Sequence, residues 1–248
     1  FENSGMKAAG PPSAAEQALL EPYRDRLPAS VFAEPVSPPV TDASGSDRKL
    51  LRRGSQLLDA AGWAQNGATR VNAKGEPLAI EFLIFAPSFE RIIAPYLKSL
   101  KAIGIDASMR RIDPAQYERR VKSFDFDIVT QRYSMRLTPG VELKNFWGSA
   151  AATTDGSFNL AGIADPVVDA MIDRAMAAAT RDELVAALKA ADRVLRAGHY
   201  WVPHWYKAAH NLVYWNKFSK PAVKPKYARG AIDTWWYDAA KAQRLTTQ

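Results

Sequence analysis

The chain has 248 residues, enough for one or two domains, and 47% of them are apolar, enough for a sizeable core. With no cysteine it has no disulfide, no thiolate metal site and no thiol nucleophile, and no apolar run approaches the roughly 20 residues of a membrane span. The formal charge of +7 is scattered; Arg48-Lys49, Arg52-Arg53, Arg110-Arg111 and Arg119-Arg120 read as solvated faces, and no zinc-finger, RNP or helix-turn-helix pattern points to nucleic acid.

The chain opens on Phe1-Glu2-Asn3, with neither a basic n-region nor an apolar h-region and no initiating Met. It reads as a mature, processed or truncated piece. Residues 1–46 are broken by Pro11-Pro12, Pro28, Pro35 and Pro38-Pro39, so they are expected to wrap irregularly over a larger body. One helix fits inside, Ala14–Tyr23, with Ser13 as cap and Glu16 at the capping-box position. Asp47–Ala61 predicts a strong helix with Leu50, Leu51, Leu57, Leu58 and Ala61 inward, stopped by Gly62 and followed by Trp63. Asn66-Gly67 and Lys74-Gly75 are turns around a short Thr69–Val71 strand.

Leu78–Met135 is the organising stretch. Leu78–Phe85 reads as a strand with Ile80, Phe82 and Ile84 on one face. Ser88 is the expected cap of a helix carrying Phe89, Ile92, Ile93, Tyr96, Leu97 and Leu100, which Gly104 ends. Ile105–Ile112 alternates as a strand, and Asp113-Pro114 starts a helix with Tyr117 and Val121 inward. Phe124–Tyr133 is expected to close the unit as a third strand. Crossover helices between strands imply a parallel sheet, and ligands of such sheets sit beyond the carboxyl ends of the strands. That rule points at Gln131, Arg132, Tyr133, Ser134, Met135 and Arg136.

Thr138-Pro139-Gly140 is a turn and Glu142–Trp147 a short helix. Gly148–Gly162 is a polar loop containing Asn159. Asp165-Pro166 opens one helix, and Thr180 with Glu183 opens the next, which Gly198 ends. Tyr200–Tyr206, Asn211–Trp215 and Ile232–Tyr237 read as strands, with a tail helix over Asp238–Leu245.

Catalytic signatures are scarce. His199, His204 and His210 lack metal-ligand spacing, and there is no GxSxG elbow, Walker loop or GxGxxG. Asp125 and Asp127 would share a strand face, where strand-edge or capping acids are the bland alternative to a catalytic pair. Trp201, Trp205-Tyr206, Tyr214-Trp215 and Trp235-Trp236-Tyr237 are dense enough to suggest a cleft rim as well as core.

LLDAAGW (57–63), the helix-to-strand run LKAIGIDASMRRIDPAQYERRV, then FDFDIVTQRYS, FNLAGIADPVVDAMID and HYWVPHWY occur in order. Together they resemble the C-terminal half of the family 5 extracellular solute-binding proteins, the dipeptide and oligopeptide receptors of ABC importers. FENSGMKA, GSDRKLLRRGSQLL and GAIDTWWYD look most like the YejA-type branch. The resemblance implies an α/β, periplasmic-binding-protein-like lobe (type II, cluster C) with a βαβαβ core and flanking helices. It implies that residues 1–207 form the C-terminal ligand-binding lobe, with 1–46 wrapping it. Residues 208–248 would be a return segment packed on an N-terminal lobe that this chain lacks.

The implied function is peptide capture by closure of two lobes in the periplasm of a Gram-negative bacterium, with delivery to ABC permease subunits, no catalysis, no metal and no cofactor. The segment after the FDxD strand would pair backbone-to-backbone with the ligand, and its matching residues are Arg132, Tyr133, Ser134, Met135 and Arg136. Asn159 in the loop and Trp205 in the aromatic strand complete the implied ligand-binding set with Glu142. Family receptors carry an acid near this turn for the ligand's amino group. The matching position is Arg136 without a gap, or Thr138 if Pro139 is aligned. Either Glu142 substitutes, or the ligand offers Arg136 a carboxylate or a blocked amine, as an acidic peptide or a muropeptide would. Two further alternatives are a cell-envelope peptide or glycan hydrolase using Asp125, Asp127 or Glu142, and a partner-binding module exposing its aromatic tail.

Overall fold

The computed structural model of the chain describes residues 1, 4–207, 209, 211–224, 230 and 232–246. Its first helix, α1 (Ala14–Leu20), starts at a capping box: the Glu16 N–H donates to Ser13 Oγ at 3.3 Å, and the Ser13 N–H donates to the Glu16 carboxylate. The α-helix stops before the expected Tyr23 because Pro22 has no N–H to continue the ladder, and the chain tightens into a 3₁₀ turn over Glu21–Arg26. From Pro28 the chain runs extended apart from one 3₁₀ turn at Ala29–Phe32, with Val31 buried.

α2 (Arg48–Ala60) is capped by Asp47, whose carboxylate accepts from the N–H of Lys49 and Leu50. Its inner stripe differs from the one read off the sequence. Leu50, Leu51 and Leu58 are half-buried, whereas Leu57 is 53% exposed and Ala61 is also exposed, because Gly54 and Ser55 complete the contact face. The strands β1 (Ala64–Asn66) and β2 (Thr69–Val71) form an antiparallel hairpin. Arg70 on β2 is buried, pairs with Asp59 and Ser55, and donates to the carbonyls of Trp63 and Ile103. It thereby joins the hairpin to α2 and to the end of the next helix. Gly104 must be glycine there: its φ is +89° and a Cβ would lie 2.7 Å from Arg70 Cγ.

β3 (Ala79–Ile84) runs parallel to β4 (Asp106–Arg111) in register Ala79↔Asp106 to Ile84↔Arg111. The crossover is α3 (Glu90–Ala102), whose first residue follows a Pro87–Phe89 3₁₀ turn, so Ser88 is not the cap. α4 (Pro114–Lys122) is capped by Asp113 and turns Tyr117 inward against Phe85, ring centroids 4.8 Å apart. The expected third strand narrows to one parallel bridge, Phe82↔Ile128. The chain is still turning through Phe124 (φ 56°), and the Asp127 carboxylate takes the β3 N–H of Glu81 that a backbone carbonyl would otherwise bond. Phe82, Ile84, Ile93, Leu100, Ile105 and Ala107 make the core of this α/β unit.

A second, larger core is helical. α5 (Glu142–Trp147), α6 (Pro166–Met176, capped by Asp165) and α7 (Arg181–Ala197, capped by Thr180 with Glu183) bury Leu143, Met171, Ile172, Leu184 and Leu188. Residues 4–36 are fastened across α7. Arg193, fully buried, pairs with Glu16 at 2.6 Å and donates to the carbonyls of Ala33 and Gly10, both at 2.8 Å. Asp192 accepts from the Ala8 N–H and from Arg196. Met6, Leu20 and Val31 fill the same core. The wrapping segment is therefore an integral layer of the helical unit.

Beyond Trp201 the packing thins. Tyr200–Tyr206 and Asn211–Trp215 are irregular where strands were expected, since no strand among the described residues offers them a ladder; Ala208 and His210 lie outside the described residues. Of the expected Ile232–Tyr237 strand, only β6 (Trp236–Tyr237) forms, paired antiparallel with β5 (Phe218–Ser219). α8 (Ala239–Thr246) follows, with Asp238 accepting from the N–H of Lys241. Among the described residues no helix is long and apolar enough to cross a membrane.

Candidate functional site

The chain leaves the α/β sheet at Ile128 and enters the helical unit at Pro139, and the segment between them joins no helix or strand and bends at Leu137 and Thr138. Tyr133 and Met135 are half-buried, while Arg132, Ser134 and Arg136 are exposed, the period-two alternation of a strand. Met135 rests on the helical core. Tyr133 enters a ring cluster with Phe146 (5.3 Å), Trp201 (5.9 Å) and Trp147 (6.1 Å). Burial pushes the Tyr133 hydroxyl above its usual pKa, so it stays a neutral donor and acceptor. Phe1 packs edge-on against Trp147 at 5.6 Å, so the wrapping segment also supports this cluster. The backbone groups of Arg132, Tyr133, Met135 and Arg136 make no backbone–backbone hydrogen bond among the described residues. One face of the segment is thus anchored, and the backbone groups of Arg132, Tyr133, Met135 and Arg136 face no backbone partner among the described residues.

Downstream, Thr138–Val141 faces the α6–α7 connection across a shallow groove of about 470 Å³, walled by Met176, Arg181 and Leu184. Arg181 donates to the Leu137 carbonyl at 2.6 Å and fixes the end of the segment.

The remaining expected site residues fall differently. Glu142 uses its carboxylate to accept the Gly140 N–H at 3.1 Å, which closes the turn before α5. Asn159 is fully buried. Its amide donates to the carbonyls of Gly148 and Ile163 and accepts from the Ile163 N–H, so it clamps its own loop and presents nothing outward. Trp205 is 63% exposed and contacts the ring of its neighbour His204, apart from the Tyr133 cluster. Trp201, one of the aromatics expected at a cleft rim, joins the Tyr133 cluster together with Phe146 and Trp147 of α5, which were read only as part of a short helix. Nor do the acids form a catalytic pair: Asp125 bonds Arg120 at 2.8 Å, and Asp127 accepts the Glu81 N–H at 2.8 Å.

This architecture has solved counterparts. The structure matches an oligopeptide-binding protein of Thermotoga maritima, solved with mannohexaose, at TM-score 0.56 and 13% identity, over 82% of this chain and 40% of that one. It matches the oligopeptide-binding protein AppA of Bacillus subtilis, solved with a nonapeptide, at TM-score 0.55 and 14% identity, over 90% of this chain and 45% of that one. The fold is that of part of an oligopeptide-binding protein of the ABC-transporter class.

In sequence, the chain is similar to part of several longer proteins, two of them named YejA. It is 42% identical over 97% of its length to the protein y4wM of Sinorhizobium fredii. It is 40% identical over 95% to a probable peptide-binding protein YejA of Agrobacterium fabrum, and 38% identical over 99% to YejA of Escherichia coli. The chain spans 36%, 39% and 40% of those three relatives, respectively. No family model matches it.

Proposed function

We propose that the chain is the ligand-binding lobe of a peptide receptor that serves an ABC importer in the periplasm of a Gram-negative bacterium. The carrying observation is the 132–136 segment, seated on the helical core by Tyr133 and Met135, in which the backbone groups of Arg132, Tyr133, Met135 and Arg136 make no backbone–backbone hydrogen bond among the described residues. An extended peptide added along such an edge gains affinity from main-chain hydrogen bonds that do not depend on its side chains. The aromatic cluster of Tyr133, Phe146, Trp147 and Trp201 keeps that edge rigid and supplies apolar surface beside it. The oligopeptide-binding fold and the peptide-binding relatives support the same function. The structural engagement of Asp125, Asp127 and Glu142 argues for binding without catalysis.

Residues 1–207 act as one lobe, and residues 208–248 return to a second lobe supplied by the remaining length that the relatives possess. Ligand binds between the lobes and closure carries it to the permease. The exposed Val213, Trp215 and Trp236 are surfaces that such a lobe would cover. Native mass spectrometry of the protein isolated from its own envelope tests this. The expected result is a peptide-sized mass that stays bound under gentle conditions and is lost on denaturation. Recovery of ligand-free protein that also fails to bind any member of a peptide library contradicts it.

A further inference from the structure

The outward face of the ligand edge carries Arg132 and Arg136. Arg132 and Arg136 are exposed, and neither has an ion pair among the described residues. Four acids beside the segment have partners, while Asp182 at the start of α7 is exposed with no ion pair among the described residues. Glu142 accepts the Gly140 N–H at 3.1 Å, Asp165 the Val167 N–H at 2.8 Å and Asp169 the Ser149 N–H at 2.8 Å. Asp173 pairs with Lys144 at 2.9 Å. A third cation, Arg181, is fixed on the Leu137 carbonyl immediately beyond the edge.

Two guanidinium groups four residues apart on one face of an extended segment stand roughly 13 Å apart along it. Guanidinium binds carboxylate through two parallel charge-assisted hydrogen bonds and repels an ammonium group. We infer that Arg132 and Arg136 make this edge selective for carboxylates, so that the preferred ligand is an extended peptide, or a ligand with a peptide portion, carrying an acidic group along the edge. The inference rests on the receptor function proposed above and deepens it: main-chain pairing gives general affinity, and the two arginines set the preferred ligand class. A free ligand amine is disfavoured at this end, because Arg132 and Arg136 repel an ammonium group.

Tryptophan fluorescence titration of the full-length receptor separates the two levels. The probes are tetra-alanine, tetra-alanine amide, and the amide with one residue replaced by glutamate or by glutamine. The expected result is that all four bind and that carboxylate-bearing probes bind about tenfold or more tightly. That preference shrinks in Arg136→Gln and Arg132→Gln and with rising salt, while the amide and glutamine probes are unchanged. The free-acid and glutamate probes distinguish a ligand C-terminus from an acidic side chain as the source of the carboxylate. Equal affinity for all four probes overturns the carboxylate inference and leaves the receptor function standing. Absence of binding by every probe overturns both.

Discussion

The helical unit and the C-terminal tail use similar residues and reach opposite states. In α6 and α7, Val168, Met171, Ile172, Leu188 and Leu195 are each 3% exposed or less. In the tail, Trp215 is 74% exposed, Ile232 60% and Tyr237 61%, and Val213 is fully exposed. A helix satisfies its own backbone, so two helices and a strap can close a core from nearby sequence. A strand leaves an edge open, and the two-residue ribbon of β5 and β6 supplies very little of what these segments need. Periodicity therefore identifies which residues favour burial, but the location of the partner decides whether they achieve it.

The contrast is sharpened most by attacking the strap. Arg193→Ala leaves Glu16 buried without its cation and frees two carbonyls, so it should cost about 3–5 kcal/mol in urea unfolding. The same variant should expose residues 4–36 to protease. Leu188→Ala, at a site with no solvent exposure in the α6–α7 core, should cost about 2–5 kcal/mol by the same assay. Asn159→Ala strips the buried loop clamp of three hydrogen bonds and should cost about 2 kcal/mol, with faster amide exchange at Ile163. Thr180→Ala removes the α7 cap and should cost about 1 kcal/mol. Val213→Ala in this chain should fall within about 0.5 kcal/mol of the parent. A loss of about 2 kcal/mol at Val213 would mean that the tail is packed and would erase the contrast.

What the sequence disclosed was chiefly local chemistry. Ser13 with Glu16, Asp113-Pro114, Asp165-Pro166 and Thr180 with Glu183 all cap the helices assigned to them, because a cap bonds within three residues of itself. Ser88 failed for a local reason, since Pro87 first forms a 3₁₀ turn and the α-helix begins at Glu90. Arg70 and Arg193 were invisible because their partners, Asp59 and the Ile103 carbonyl for the first, Glu16 and the Ala33 carbonyl for the second, meet them only through the fold. The strand-end rule pointed at Gln131–Arg136, and in the structure exposed and half-buried residues alternate over 132–136 where Tyr133 and Met135 rest on the helical core. Asn159 and Trp205 were nominated by family resemblance; the first closes its own loop and the second stands outside the Tyr133 cluster. The aromatic cluster joins Tyr133 to Phe146, Trp147 and Trp201, and ring contacts of such sequence separation leave no periodic trace.

The measurement closest to the central claim is amide hydrogen exchange of the full-length receptor with and without tetra-alanine. If residues 132–136 are the edge along which the ligand lies, their amides should slow on ligand addition, while those of α6 and α7 should stay as they were. Ligand binding that leaves the 132–136 amides at their free exchange rates would contradict it.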